Sequence, residues 1–145
     1  MSVSVRPITV AETRPLRSQV LRPGQPPENL VYPGDDTLES WHVGAFVDSA
    51  LVGIASIYRE VHPDLSAPQA WRLRGMAVDP GMQRRGLGRA LVLACIAHVK
   101  AQSGRQLWCN GRTSAADFYR SLGFELVGEE FPTESGPHYV MRLAL

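Results

Sequence analysis

The chain has no apolar run approaching the roughly 20 residues that cross a bilayer, so a membrane-spanning helix is not expected. Its start, "MSVSVRPITV", lacks the basic opening and apolar stretch of a secretory signal. Cysteine is scarce. Cys95 and Cys109 stand in apolar surroundings without a CxxC pair or a metal-ligand rhythm, and read as reduced core residues. The histidines are scattered, no two at zinc-site spacing, and no metal is expected. Internal repeats and low-complexity tails are absent as well. The expectation is a cytoplasmic protein of one domain, residues 1–145, with a real core.

One further absence is informative. From Pro80 to Ala116 there is no aspartate or glutamate, while the same interval carries Arg84, Arg85, Arg89, Lys100, Arg105 and Arg112. The acids crowd elsewhere, including Glu125, Glu129, Glu130 and Glu134. A basic middle beside acidic flanks suits an anionic ligand held centrally, with a cationic one nearby; clustering on a solvated face is the other reading.

What is present orders itself along the chain. "SVSVRPI" alternates as a short strand, and "TVAETRPLRSQVL" follows as a helix opened by Thr9 and interrupted by Pro15. Residues 22–40 are dense in Pro, Gly and Asp and read as a long loop, of the kind that often carries function. "WHVGAFVD" and "ALVGIASIY" form a hairpin meeting at Asp48–Ser49. After a second loop at 59–70 comes the strand "WRLRGMAV", whose alternation Gly75 breaks as a bulge would. Residues 86–101 are apolar nearly all round and predict a helix buried on most sides. "QLWCNG" is a strand, "TSAADFYRSL" a helix capped by Thr113 or Ser114 and closed by Gly123, and "FELVGEE" and "HYVMRLAL" finish as strands. The order β-α-β-β-β-α-β-α-β-β predicts an α/β fold, a mixed sheet covered by helices.

The turn "VDPGMQRRGLGRAL" joins a strand ending at Val78 to a helix starting near Gly86. A helix start leaves its first amides unpaired and carries positive partial charge. Glycine at 86 and 88 removes side chains that would hold a ligand off those amides. Glycine could also serve only close packing of helix on strand, but three arginines in the same turn favour a phosphate cradle. Two familiar phosphate loops do not fit. Gly81 and Gly86 have P-loop spacing, yet Leu87 and Gly88 stand where Lys and Ser/Thr should follow. A dinucleotide fingerprint would place a small residue where Leu91 stands, and an acid in the acid-free interval.

"MAVDPGMQRRGLGRALV" resembles the acetyl-CoA motif of the GNAT acetyltransferase superfamily, Q/R-x-x-G-x-G/A, here Gln83-Arg84-Arg85-Gly86-Leu87-Gly88. "AADFYRSLGF", residues 115–124, is similar to the family's A-x-x-F-Y-x-x-L-G-F segment. The resemblance implies a mixed, mostly antiparallel central sheet of about seven strands flanked by helices. It implies that the turn around Gln83, Arg84, Arg85, Gly86, Leu87, Gly88 and Arg89 binds the CoA pyrophosphate. It places pantetheine along the backbone of Met76, Ala77 and Val78, in the gap between that strand and the one at 106–110. The family often has asparagine three residues before the alanine of that segment. Here that position is Arg112, and Asn110 lies two positions earlier as the candidate contact.

The activity implied is transfer of an acetyl group from acetyl-CoA to a primary amine by direct attack on the thioester, with a small-molecule acceptor favoured over a protein. An amide near Met76 or Ala77 would stabilise the oxyanion. Tyr119 resembles the tyrosine that protonates the leaving thiolate, though it also reads as a core aromatic beside Phe118. Glu60, or His138 with its suitable pKa range, would take the amine's proton; each also reads as a surface or structural residue, and a water chain could replace both. Loops 22–40, 59–70 and 130–138 would frame the acceptor, and the acids at 129, 130 and 134 would favour a cationic amine. The rival reading is a CoA-binding sensor or scaffold without catalysis. A nucleic-acid binder fits poorly, given the net charge of +1 and no interleaving of aromatic with basic residues. Whether the chain forms a homodimer stays open.

Overall fold

The computed structural model describes residues 2–145. Seven strands form one sheet in the order β1-β2-β3-β4-β5-β7-β6: β1 (Val3–Pro7), β2 (Trp41–Val47), β3 (Ala50–Arg59), β4 (Ala70–Val78), β5 (Gln106–Arg112), β6 (Glu125–Thr133) and β7 (Gly136–Ala144). Three α-helices connect them: α1 (Val10–Leu16), α2 (Leu87–Ala101) and α3 (Ala116–Ser121). The order of strands and helices along the chain is the one that the periodicity predicts. Among the described residues no helix is long and apolar enough to cross a membrane.

The described residues part into two compact units, those up to Tyr58 with Leu73–His98, and Arg59–Arg72 with Val99–Leu145. In the first, β1 and β3 flank β2 antiparallel, and Val43, Ala45, Ile54 and Ile57 are fully or nearly fully buried. Thr9 opens α1 with a reciprocal cap: its hydroxyl accepts from the Glu12 amide at 3.2 Å, and Glu12 accepts from the Thr9 amide at 2.9 Å. Pro15 does not end the helix. The α-helix runs through it to Leu16 and then widens into a π turn, Arg17–Leu21, closed by the Arg22 amide on the Arg17 carbonyl at 3.0 Å.

Helix α2 departs from expectation. Leu87, Leu91, Val92, Cys95 and Val99 are buried, but Leu93 is 45% exposed and Ala97 is exposed too. The spacing 87, 91, 95, 99 is one helical face, so the apolar composition overstates the burial. Cys95 and Cys109 are free and buried, as the sequence suggests.

In the second unit β5 pairs parallel with β4 over three positions, ending at Arg72↔Trp108, and antiparallel with β7 along its whole length. Neither Thr113 nor Ser114 caps α3. Its N-cap is Ala115, and a single 3₁₀ turn, Thr113–Ala115, precedes it; the Thr113 hydroxyl donates instead to Glu130 at 2.8 Å. The helix does close at Gly123, φ +97°, with the Phe124 amide on the Tyr119 carbonyl and the Gly123 amide on the Arg120 carbonyl. Residues 130–138 are not a loop. They form the end of the β6–β7 hairpin, with Phe131↔His138 and Thr133↔Gly136 still in register.

Candidate active site

The glycine turn begins where the Asp79 amide donates to the Val52 carbonyl at 2.8 Å, tying the end of β4 to β3. The Asp79 carboxylate then accepts from the Gly81 amide at 2.9 Å and starts a 3₁₀ turn, Pro80–Met82. Two left-handed residues follow, Arg84 at φ +65° and Gly86 at φ +76°. For arginine that conformation costs on the order of 1 kcal/mol, and such strain gathers at functional sites. Left-handed residues in a turn of this kind aim successive amides into a concavity suited to an anion.

The first intrahelical bond of α2 runs from Ala90 to the Gly86 carbonyl at 3.0 Å, so the amides of Leu87, Gly88 and Arg89 lie before any acceptor in the helix. Gln83, Arg84, Arg85, Gly86 and Arg89 face solvent. A Cβ built on Gly86 would meet nothing within 4 Å, so the space before the turn is open.

Strand β4 reaches this turn through Met76, Ala77 and Val78. Just before them Gly75 sits at φ +67°, the backbone counterpart of the broken alternation. A side chain there is excluded twice: by the left-handed backbone and by the Tyr32 ring, whose Cε2 would be 2.9 Å from a Cβ.

Behind Tyr32 lies a polar network that composition and spacing do not reveal. Arg17 is fully buried and forms a bidentate pair with Asp35, at 2.7 and 3.0 Å. It also donates to the Leu30 carbonyl at 3.0 Å and to Ser56 Oγ and Tyr58 Oη, each at 3.1 Å. His42 completes the network. Its Nε2 faces the Asp35 carbonyl at 3.2 Å and so carries the proton, leaving Nδ1 to accept from Ser56 Oγ at 2.7 Å.

Burial alone would raise the Asp35 pKa, but hydrogen bonds from Arg17, Tyr58 and the Tyr32 amide outweigh it and hold the carboxyl below its ordinary value. Burial pushes His42 the other way for a cation, below its ordinary value, in keeping with a neutral ring. The one sequence signal was Asp35 inside a Pro/Gly loop, where an acid reads as solvated.

In the second unit, Tyr119 is only 7% exposed, its ring edge-on to Phe118 and Phe124 at 5.1 and 5.3 Å. Cys109 hydrogen-bonds with Tyr119, and burial raises the thiol to about 12. Asn110, next along β5, is exposed and opposite Val140. Glu60 lies just past β3 with its carboxylate 3.1 Å from Arg72, while its carbonyl accepts from Trp108 Nε1 at 2.8 Å. His138 lies inside β7, paired with Arg112 of β5. Its Nδ1 is 2.9 Å from the Gly136 carbonyl, which can only accept, so Nδ1 donates there. Of the acids expected to attract a cationic acceptor, Glu130 is engaged by Thr113.

The fold, the cradle and the aromatic helix can be set against known proteins. The family model described as an acetyltransferase (GNAT) domain matches residues 37–145. The chain belongs to the GNAT family. It is 37% identical over 141 residues to the uncharacterized N-acetyltransferase YitI of Bacillus subtilis (strain 168), covering 96% of this chain and 94% of that one.

Among solved structures, Escherichia coli ElaA aligns with a TM-score of 0.79 at 18% identity, over 97% of this chain and 99% of that one. The ribosomal-protein-S18-alanine N-acetyltransferase of Escherichia coli aligns at 0.74 and 21% identity, over 99% and 94%. At such identity these two show a shared fold. Family membership makes this GNAT protein an acyltransferase, and the expected seven-stranded, mostly antiparallel sheet is the one observed.

Proposed function

We propose that this chain, as a single domain over 1–145, transfers the acetyl group of acetyl-CoA to a primary amine by direct attack, with a small-molecule amine as acceptor. The observation that carries the reading is the turn Gln83–Arg89. There, two left-handed residues, three arginines and the open amides of α2 meet in one GNAT chain. That donor set fits a pyrophosphate: neutral amides for the oxygens and guanidinium groups for the charge. A fold relative from Thermoplasma acidophilum, PaiA N-acetyltransferase, TM-score 0.69 at 16% identity over the whole of both chains, is described in complex with coenzyme A.

Acetyl-CoA, when bound, supplies an acyl group activated as a thioester. The backbone of Met76, Ala77 and Val78 would hold the pantetheine arm, with Asn110 as a further contact, and the Met76 or Ala77 amide would donate to the oxygen that gains charge. Tyr119 would give a proton to the departing sulfur. Two groups can take the amine's proton. Glu60 carries a carboxylate beside Arg72, and His138, with Nδ1 on the Gly136 carbonyl, would use Nε2. The match to an acetyltransferase family supports catalysis over a CoA sensor.

Titration calorimetry tests the cradle. Acetyl-CoA is expected to bind and to be displaced by adenosine 3′-phosphate 5′-diphosphate, which keeps the phosphates and lacks the thiol arm. Tight binding of NAD or ATP with none of CoA would refute the reading. An amine panel, read by mass spectrometry for acetylated product, tests the transfer.

Gly86→Val is expected to lower CoA affinity by on the order of a hundredfold, since a β-branched residue at φ +76° is a severe outlier and its methyls would enter the open space. The strain costs about 1–3 kcal/mol, so the variant should remain folded, and calorimetry on the folded protein separates the two effects. Unchanged affinity would put the phosphates elsewhere.

A further inference from the structure

Tyr32 stands at an unusual junction. Its ring lies 4.0 Å from the Arg17 guanidinium and 4.4 Å from that of Arg74, and it covers the Cα of Gly75. Arg17 Nε is buried and has no hydrogen-bond partner among the described residues; it would be 3.5 Å from a Cβ at Gly75. The aromatic face is therefore what covers the one unsatisfied edge of a buried cation, a favourable use of the ring's quadrupole.

The ring is also fixed from its backbone. The Tyr32 amide donates to Asp35 Oδ2 at 2.8 Å, and the Asp35 amide returns a bond to the Tyr32 carbonyl at 3.1 Å. Asp35 in turn is clamped by Arg17. A buried ion pair adds little net stability compared with an apolar pair of the same volume, so its use here is better sought in placement.

We infer that Tyr32 is the specificity-determining residue on the acceptor side of β4, and that Arg17 and Asp35 are the positioning residues that set it there. The inference rests on the proposed function, in which Met76–Val78 hold the thioester arm. Gly75 is the residue before that segment, left-handed and bare, so whatever approaches the backbone at that point meets the Tyr32 ring as its wall. The ring is half-buried with the Arg17 and Arg74 guanidinium groups over it, and its place is set by the Tyr32–Asp35 turn rather than by a flexible loop. An acceptor amine is then chosen by the fit of its substituent against this ring, while the CoA phosphates, held at residues 83–89, are indifferent to it.

The test is steady-state kinetics of thiol release with acetyl-CoA and a panel of phenethylamine, spermidine, free amino acids and an alanine-initiated peptide. Tyr32→Ala is expected to raise KM for the best panel amine at least tenfold, with KM for acetyl-CoA within twofold of the parent. Tyr32→Phe, which keeps the ring, should restore the parent amine KM to within threefold, and Asp35→Asn should shift amine KM in the same direction as Tyr32→Ala. Leu38→Ala, at a fully solvent-facing position of the same loop, should change neither constant. Thermal melts accompany each variant, and Tyr32→Leu replaces the alanine variant if that one melts below the assay temperature.

An unchanged amine KM in folded Tyr32→Ala or Tyr32→Leu, with the parent active, overturns this inference alone. A parallel rise in both KM values overturns it as well, since Tyr32 would then serve the CoA side. A parent chain inert on every amine overturns the functional reading and this inference with it.

Discussion

Asp35→Ala is expected to lower the melting temperature by about 10–15 °C. The reason is the Arg17 guanidinium. It is wholly buried, and among the described residues Asp35 is the anionic partner it bonds. Removing one side of a buried pair leaves a charge without compensation and costs about 3–5 kcal/mol. At this chain length about 3 °C accompanies each kcal/mol.

Acid should mimic the substitution. The folded Asp35 pKa lies below its unfolded value, so its contribution is complete above the unfolded value, about pH 4, and is lost as pH falls through the lowered folded one. The gap between parent and variant melting temperatures should accordingly be constant near neutrality and close on acidification below about pH 4. A gap that persists unchanged at about pH 2 would mean that Asp35 acts through packing rather than charge. Arg17→Met combined with Asp35→Leu should recover much of the lost stability, because it removes the buried charges instead of orphaning one.

Tyr119→Phe is expected to lower kcat by on the order of a hundredfold while leaving KM for acetyl-CoA little altered. The substitution removes one hydroxyl and keeps a ring held between Phe118 and Phe124, in a helix end already closed by backbone bonds. Its structural cost is the hydrogen bond with Cys109, about 1 kcal/mol. A proton given to the leaving sulfur is an interaction of the transition state, so its loss belongs in kcat. General acid catalysis contributes roughly 10²–10⁴-fold. A loss under about threefold, with amine saturating and chemistry limiting, would mean that water protonates the sulfur. A large rise in KM with kcat kept would make Tyr119 a binding residue.

The order of elements and the glycine turn before α2 were legible in the sequence because both rest on local physics. Strand alternation, the Thr9 cap, the Asp48–Ser49 turn and the Gly123 closure each involve residues within a few positions of one another. The cradle is equally local: a glycine pair, an arginine cluster and the helix start that follows them. The bulge at Gly75 showed as one misplaced residue in an alternating run.

What only the tertiary structure decided are the partners that lie far apart in the chain. Arg17 meets Asp35, Ser56 and Tyr58 across separations of 18, 39 and 41 residues, and no period or motif encodes such a meeting. The buried face of α2 could not be read from a helix apolar all round, because composition is uniform there and only the sheet beneath it chooses a side. Thr113 looked like a cap until Glu130, 17 residues on, proved to be its partner. Local propensity sets which elements form; burial sets which polar groups must find each other, and desolvation leaves Arg17 no alternative to Asp35.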